Sequence, residues 1–128
     1  MTNNPLDFKY SREHEWVNVE GDIATVGITD FAQHQLTDIV FVELPEKGKR
    51  VEAGKQMAVV ESVKSVSDVF APVSGEVIEV NSKLIDNPEI INNSPYTEGW
   101  FVKIRMANKA ELDALLDVKL YSALTGQP

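Results

Sequence analysis

The sequence contains no cysteine. Disulfide staples, thiol nucleophiles and cysteine-ligated zinc or iron–sulfur centres are therefore excluded, and cysteine usage says nothing about the redox compartment. Histidine is scarce as well. His14 and His34 are not spaced as HExxH, nor set beside carboxylates at metal-ligand spacing, so packing or surface roles are the ordinary reading of each. Positive charge is in short supply: 12 Lys and Arg stand against 20 Asp and Glu, a formal net charge of -8. Such a surface repels phosphate backbones, which argues against nucleic-acid binding, while it favours solubility and basic protein partners. No apolar run approaches the ~18 residues that a membrane span needs. The opening "MTNNPLDFKYS" has neither a basic stretch followed by an apolar one nor an arginine-rich composition. The expectation is a cytoplasmic chain, or a mitochondrial matrix one if a transit peptide has been removed. GxSxG, GxGxxG and Walker patterns are missing, so the serines at 62, 65, 67 and 74 have no nucleophile context.

What is present suits one small domain. The 128 residues, 43% hydrophobic and 25% charged, can bury a core without staples. Residues 1–9 read as polar and frayed. Trp16, Val17 and Val19, then Ile23, Ala24, Val26 and Ile28, flank a Glu20–Asp22 bend and predict a hairpin. Thr29 predicts the N-cap of a short helix over "DFAQHQL". Ile39–Leu44 and Met57–Ser62 predict strands, with Pro45, Gly48 and Gly54 as turns between them. "SKLIDNPEIINNSPYTEG" reads as a long loop with a helical piece, and "WFVKIRM" as a strand. Residues 108–125 predict a C-terminal helix. Asn108 and Glu111 would form a capping box, Leu112, Leu115, Leu116, Leu120 or Tyr121, and Leu124 the apolar stripe, and Gly126 the stop. Many short strands with regular turns predict a mostly β domain, a small barrel or a sandwich, ending in a helix.

The chemistry concentrates in "VVESVKSVSDVFAPVSGEV" (59–77). Two β-forming runs flank Lys64, and the stretch has no other cation. A lysine at a hairpin tip is ordinarily an exposed turn residue. Here the flanking strands should fix the tip, and its neighbours are small or acidic (Glu61, Ser62, Ser65, Ser67, Asp68). That leaves the amine open to another protein. Being protonated at neutral pH, it needs a modifying enzyme to deprotonate and acylate it.

"GITDFAQHQLTDIVFVELPEKG", "VVESVKSVSDVFAPVSGEVIEVN" and "NNSPYTEGWFVKIRM", with the "SREHEW" stretch, resemble the H proteins of the glycine cleavage system. The likeness runs from Phe8 to the terminal helix. It implies a barrel-sandwich hybrid of two antiparallel sheets, shared with lipoyl and biotinyl carriers. It implies lipoate in amide linkage on Lys64, with Glu61, Ser62, Val63 and Ser65 read by the lipoate-attaching enzyme. It implies a monomeric carrier, not an enzyme, that shuttles an aminomethyl group between three partners. These are a pyridoxal-phosphate glycine decarboxylase (P protein), a tetrahydrofolate-dependent aminomethyltransferase (T protein) and a flavin dihydrolipoamide dehydrogenase (L protein). It also implies a cleft for the loaded arm, with Glu15 and Asp68, and more weakly Glu13, as the anionic wall. One departure is visible: the family commonly has Gly after "QL", where this chain has Thr37. Two other classes stay open on the residues alone: a lipoyl carrier serving another pathway, and a binding module whose Lys64 is bare.

Overall fold

The computed structural model describes residues 4–127. Strands β1 (Lys9–Tyr10), β2 (Glu15–Glu20), β3 (Ile23–Ile28), β5 (Arg50–Val51), β8 (Gly75–Val80) and β9 (Val102–Met106) form a sheet in the order β1-β2-β3-β9-β8-β5. Strands β4 (Ile39–Glu43), β6 (Gln56–Ser62) and β7 (Val66–Phe70) form a second, in the order β4-β6-β7. Every pairing is antiparallel. Alternation puts Val17, Ala24, Val26, Val77 and Ile104 of the large sheet into one core with Val42, Val60 and Val69 of the small one. Each sheet hides one face on the other, so period-two patterning suffices to specify the sandwich.

The hairpin β2–β3 turns at Gly21, whose positive φ of 63° suits a residue without Cβ. Helix α1 (Asp30–Leu36) begins where expected, with the Thr29 hydroxyl accepting from Ala32 N at 3.2 Å. The segment after β8 holds two single-turn helices, α2 (Lys83–Asp86) and α3 (Ile90–Asn93). Fully buried Leu84 and Ile91 pin it to the core. Asn81 donates to the carbonyls of Glu98 and Trp100, both at 2.8 Å. This long loop is thus a packed element rather than slack.

Three expectations need correction. Residues 4–9 are held, not frayed: Asn4 is buried, donates to Ser122 Oγ at 3.2 Å and accepts from the Tyr96 hydroxyl at 2.7 Å. Phe8 packs on Trp16 at 4.9 Å, in a second apolar cluster with Tyr10, Tyr96 and Tyr121. The rest of the stretch expected to fray, residues 1–3, lies outside the described residues. Next, the terminal helix is two pieces, a 3-10 helix (Lys109–Ala114) and α4 (Val118–Thr125). Leu116 cannot be helical because its N–H and C=O both pair with Tyr10, at 2.7 and 2.8 Å, extending the edge of the large sheet. Asn108 does cap, but Glu111 turns away from it and accepts from Ser74 N and Oγ at 2.7 and 2.8 Å. Finally, the broken helix buries Tyr121 and leaves Leu120 and Leu124 exposed.

Thr37 ends α1 with φ 67° and ψ -147°, a region that costs a Cβ-bearing residue about 1–3 kcal/mol. Asn92 holds the corner by donating to the Thr37 carbonyl at 2.8 Å and accepting from Ile39 N at 3.0 Å. Thr37→Gly relieves the strain but adds freedom to the unfolded chain. The variant should be more stable by about 1 kcal/mol in urea unfolding; equal or lower stability would mean that the corner is not strained.

Candidate functional site

The hairpin β6–β7 reverses over Val63 and Lys64, both exposed. Neither has a positive φ, so the reversal is not one of the turns that call for Asn-Gly. Serine chemistry holds it instead. Ser62 is buried, and its hydroxyl accepts from Lys64 N at 3.2 Å and from Ser65 N at 3.0 Å. Ser62 N donates to the Ser65 carbonyl at 2.8 Å. Val63 N donates to the Asp38 carbonyl at 3.1 Å, which ties the tip to the segment after α1. The ammonium of Lys64 donates only to the Gln35 carbonyl, at 3.3 Å, and among the described residues no carboxylate pairs with it. The amine is held out, solvated and approachable. Of the residues that the resemblance assigns to the attaching enzyme, Val63 and Ser65 are exposed beside Lys64 and Glu61 is half-buried, while Ser62 serves as a backbone brace rather than an outward group.

Glu15 lies elsewhere, at the start of β2, only 2% exposed. It accepts a hydrogen bond from the Ser11 hydroxyl, and its other oxygen accepts from Phe70 N at 3.1 Å. Phe70 closes β7, the edge of the small sheet, so this carboxylate satisfies an edge N–H and ties the two sheets together. Ser11 returns the favour, its hydroxyl accepting from Glu15 N at 3.0 Å. Burial pushes the Glu15 carboxyl up from 4.5 to about 7, against the opposing pull of the Ser11 and Phe70 hydrogen bonds. Glu13, exposed, shares with Glu15, Ser11, Phe70 and Leu115 the wall of a cleft of about 200 Å³. Asp68 is exposed on β7, two residues short of Phe70, outside that wall, and its carboxylate accepts from the Gln56 amide at 3.0 Å. So the structure joins Glu13 and Glu15 in one cleft and leaves Asp68 between it and Lys64. Ser11 and Phe70 N were not anticipated. The four-residue spacing of Ser11 and Glu15 hints at the first, but the second depends on how the sheets meet.

His14 takes a packing role and His34 a surface one. His14 contacts the Tyr121 hydroxyl at 2.7 Å and packs on Phe31, and burial lowers its pKa, which favours the neutral ring. His34 faces Asp30 at 3.6 Å. Among the described residues no group of three or more His, Asp or Glu could hold a metal, and no helix is long and apolar enough to cross a membrane. A larger cleft of about 690 Å³, lined by Glu43–Lys49 and Gln56–Ala58, contains none of the anticipated site residues.

The family model described as glycine cleavage H-protein matches residues 8–127. The glycine cleavage system H protein of Symbiobacterium thermophilum is 58% identical over 125 residues, covering 98% of each chain. That of Caulobacter vibrioides is 59% identical over 118 residues, covering 92% of this chain and 98% of the relative. The crystal structure of a glycine cleavage system H protein from Mycobacterium marinum superposes with a TM-score of 0.87 at 38% identity, covering 96% of this chain and 99% of that one.

Because Glu15 is raised, it resists ionising in the folded chain. Below pH 4.5 both states hold the proton; between 4.5 and about 7 only the folded state keeps it, so stability falls as pH rises across that window. Glu15→Gln removes this slope. Its stability relative to the unsubstituted chain should improve by on the order of 3 kcal/mol from pH 4.5 to 7.5 in denaturant titrations. Parallel pH profiles would mean that Glu15 ionises normally.

Proposed function

The chain belongs to the glycine cleavage H-protein family, and from that premise we propose that it is a lipoyl carrier whose attachment point is Lys64. The observation that carries this reading is the amine itself: exposed, without a carboxylate partner, on a corner braced by Ser62. In this reading the chain is a carrier rather than an enzyme. It acts as a monomer in the cytoplasm, serving the decarboxylase, the aminomethyltransferase and dihydrolipoamide dehydrogenase. The residues fit the group. Small Ser65 and acidic Glu61 leave the ammonium accessible to the attaching enzyme. When bound, lipoate supplies a disulfide that takes up the aminomethyl group left by glycine decarboxylation and is regenerated by oxidation.

The chain's own task is to hold the corner still and to shelter the cargo. At about 3.3 Å per residue, β7 carries the backbone roughly 7 Å from Val66, just past the reversal, to Asp68 and roughly 13 Å to Phe70. A lipoyl-lysine would be long enough to span that distance, at about 1.25 Å per bond. Asp68 would then lie along the way, with the cleft of Glu13 and Glu15 beyond it. An amine arriving there meets a carboxyl poised near neutrality, so its charge would favour ionised Glu15. The enclosure that leaves Glu15 only 2% exposed would limit water at that end of the cleft and slow loss of the cargo. The binding is weak by design: a partly exposed ion pair contributes about 0.2–1 kcal/mol, and each buried methylene about 0.8 kcal/mol.

Two measurements test this. In a host able to lipoylate, the peptide containing Lys64 should carry the mass of one lipoyl amide, and Lys64→Arg should abolish both the added mass and glycine–carbon dioxide exchange with the decarboxylase. A bare Lys64 in such cells removes the proposal, and full lipoylation without exchange assigns the carrier to another pathway. For the cleft, Glu15→Gln should release the aminomethyl group severalfold faster from the isolated loaded protein, with Lys64 still lipoylated. Equal rates would remove Glu15 from the arm's path.

A further inference from the structure

Ser62 fixes the shape of the turn under Lys64, but other residues fix where that turn stands on the molecule. Val63 N donates to the Asp38 carbonyl at 3.1 Å, and Lys64 Nζ donates to the Gln35 carbonyl at 3.3 Å. Both acceptors lie in residues 35–38, on either side of Thr37. Thr37 has φ 67° and ψ -147°, a region that a residue with a Cβ leaves unless it is held there. If Thr37 relaxed, both carbonyls would turn with it, and the tip would lose its footing on α1.

Asn92 does the holding. Half-buried on α3, it spends both amide hydrogens and its oxygen on this corner. It donates to the Thr37 carbonyl and to Gln33 Oε1, both at 2.8 Å, and accepts from Ile39 N at 3.0 Å. Behind it, buried Gln33 donates to Asp30 Oδ1 at 2.9 Å, and Asp30 N donates to the Tyr96 hydroxyl at 3.0 Å. The neighbouring Ile91 is fully buried, so α3 is a fixed platform. A chain of side-chain amides thus runs from the interior to the corner that supports Lys64. Water can replace Asn92 as a partner of the Thr37 carbonyl, because Thr37 is exposed. Water cannot keep a strained corner at one position. Losing Asn92 therefore costs position more than it costs stability.

We infer that Asn92, backed by Gln33, is a positioning residue for the acylation of Lys64: it presents the tip in the pose that the attaching enzyme accepts. The inference rests on the lipoyl-carrier reading. In that step the Lys64 nitrogen forms an amide bond with the carbonyl carbon of an activated acyl donor, an acyl–phosphate mixed anhydride. The ammonium releases protons to solvent until one N–H remains, and the phosphate leaves with the electron pair of the broken C–O bond. The attack requires nitrogen and carbonyl held in a near-attack geometry, and the carrier's share of that geometry is the pose of the tip. When only a fraction of the molecules hold that pose, apparent affinity falls by that fraction, while the bound complex reacts at its usual rate.

The test uses the unlipoylated chain as substrate of the host's lipoate-attaching enzyme, with acylation followed by intact mass. Asn92→Ala should raise KM for the carrier at least about fivefold and leave kcat within about twofold. Asn92→Asp keeps the volume and the acceptor for Ile39 N, but sets a carboxylate oxygen against the Thr37 carbonyl. It should raise KM in the same way, so the inference does not depend on one variant. Adding Thr37→Gly to Asn92→Ala should recover most of the lost affinity, since glycine adopts these dihedrals without being held. In hydrogen exchange, the Val63 amide of Asn92→Ala should accelerate more than any amide of β2 or β3. A KM unchanged in both variants, a loss confined to kcat, no recovery by Thr37→Gly, or exchange accelerated equally in both sheets would each overturn the inference. An unsubstituted chain that the enzyme leaves bare would instead strike the carrier reading, so the two failures are distinguishable.

Discussion

The hydroxyl of Ser62 accepts from two successive backbone N–H groups where the chain reverses under Lys64. For the covalent root proposed at Lys64, the backbone beneath has to stay in place. Glycine-based turns achieve reversal through permissive dihedrals, which also makes them loose. Here reversal proceeds without positive φ, and a buried side chain satisfies the donors that the turn leaves over. The four-carbon lysine stem projects beyond these hydrogen bonds. The Asp38 carbonyl, accepting from Val63 N, extends the brace to α1 and β4.

Carboxylates repeat the same device at larger scale. Glu15 accepts from Phe70 N at the edge of the small sheet, and Glu111 accepts from Ser74 N just before β8. Each covers backbone donors that strand pairing leaves free, so each couples one element to another. The two differ in cost. Glu15 is buried deeply enough for its carboxyl to be raised, and it also borders a cleft. A group that is strained electrostatically and adjoins a cavity is where structure and function compete. By contrast, His14, whose pKa burial lowers, and the buried Tyr121, whose hydroxyl burial raises to about 12, meet in a hydrogen bond that ties the entry to β2 to the terminal helix.

Much of the fold was legible because alternating apolar residues leave little choice about which face is buried. The hairpin from Glu15 to Ile28, the cap at Thr29, strands β4 and β6 and the terminal stop at Gly126 lie where their residue types place them. The terminal helix misled because Asn108, Glu111 and the leucines make a sound local argument. Two backbone hydrogen bonds to Tyr10, more than a hundred residues away in the chain, outweigh it. The first residues misled for a similar reason. Asn4 is polar, but its partners Ser122 and Tyr96 are brought to it only by the folded chain.

By itself the sequence determined a mostly β domain, the family and the exposure of Lys64, because strand period, turn chemistry and a dense local motif are all read within a few residues; the two-sheet sandwich followed from the family likeness. Tertiary structure decided that Ser62 faces inward and that Glu15 meets Phe70. It decided that Asp68 stands apart from the cleft, and that one inserted residue turns Phe41 outward. These outcomes depend on register and on which edges come together. A one-residue change in register moves a side chain to the opposite face, and no local pattern records which register the opposing strand will supply.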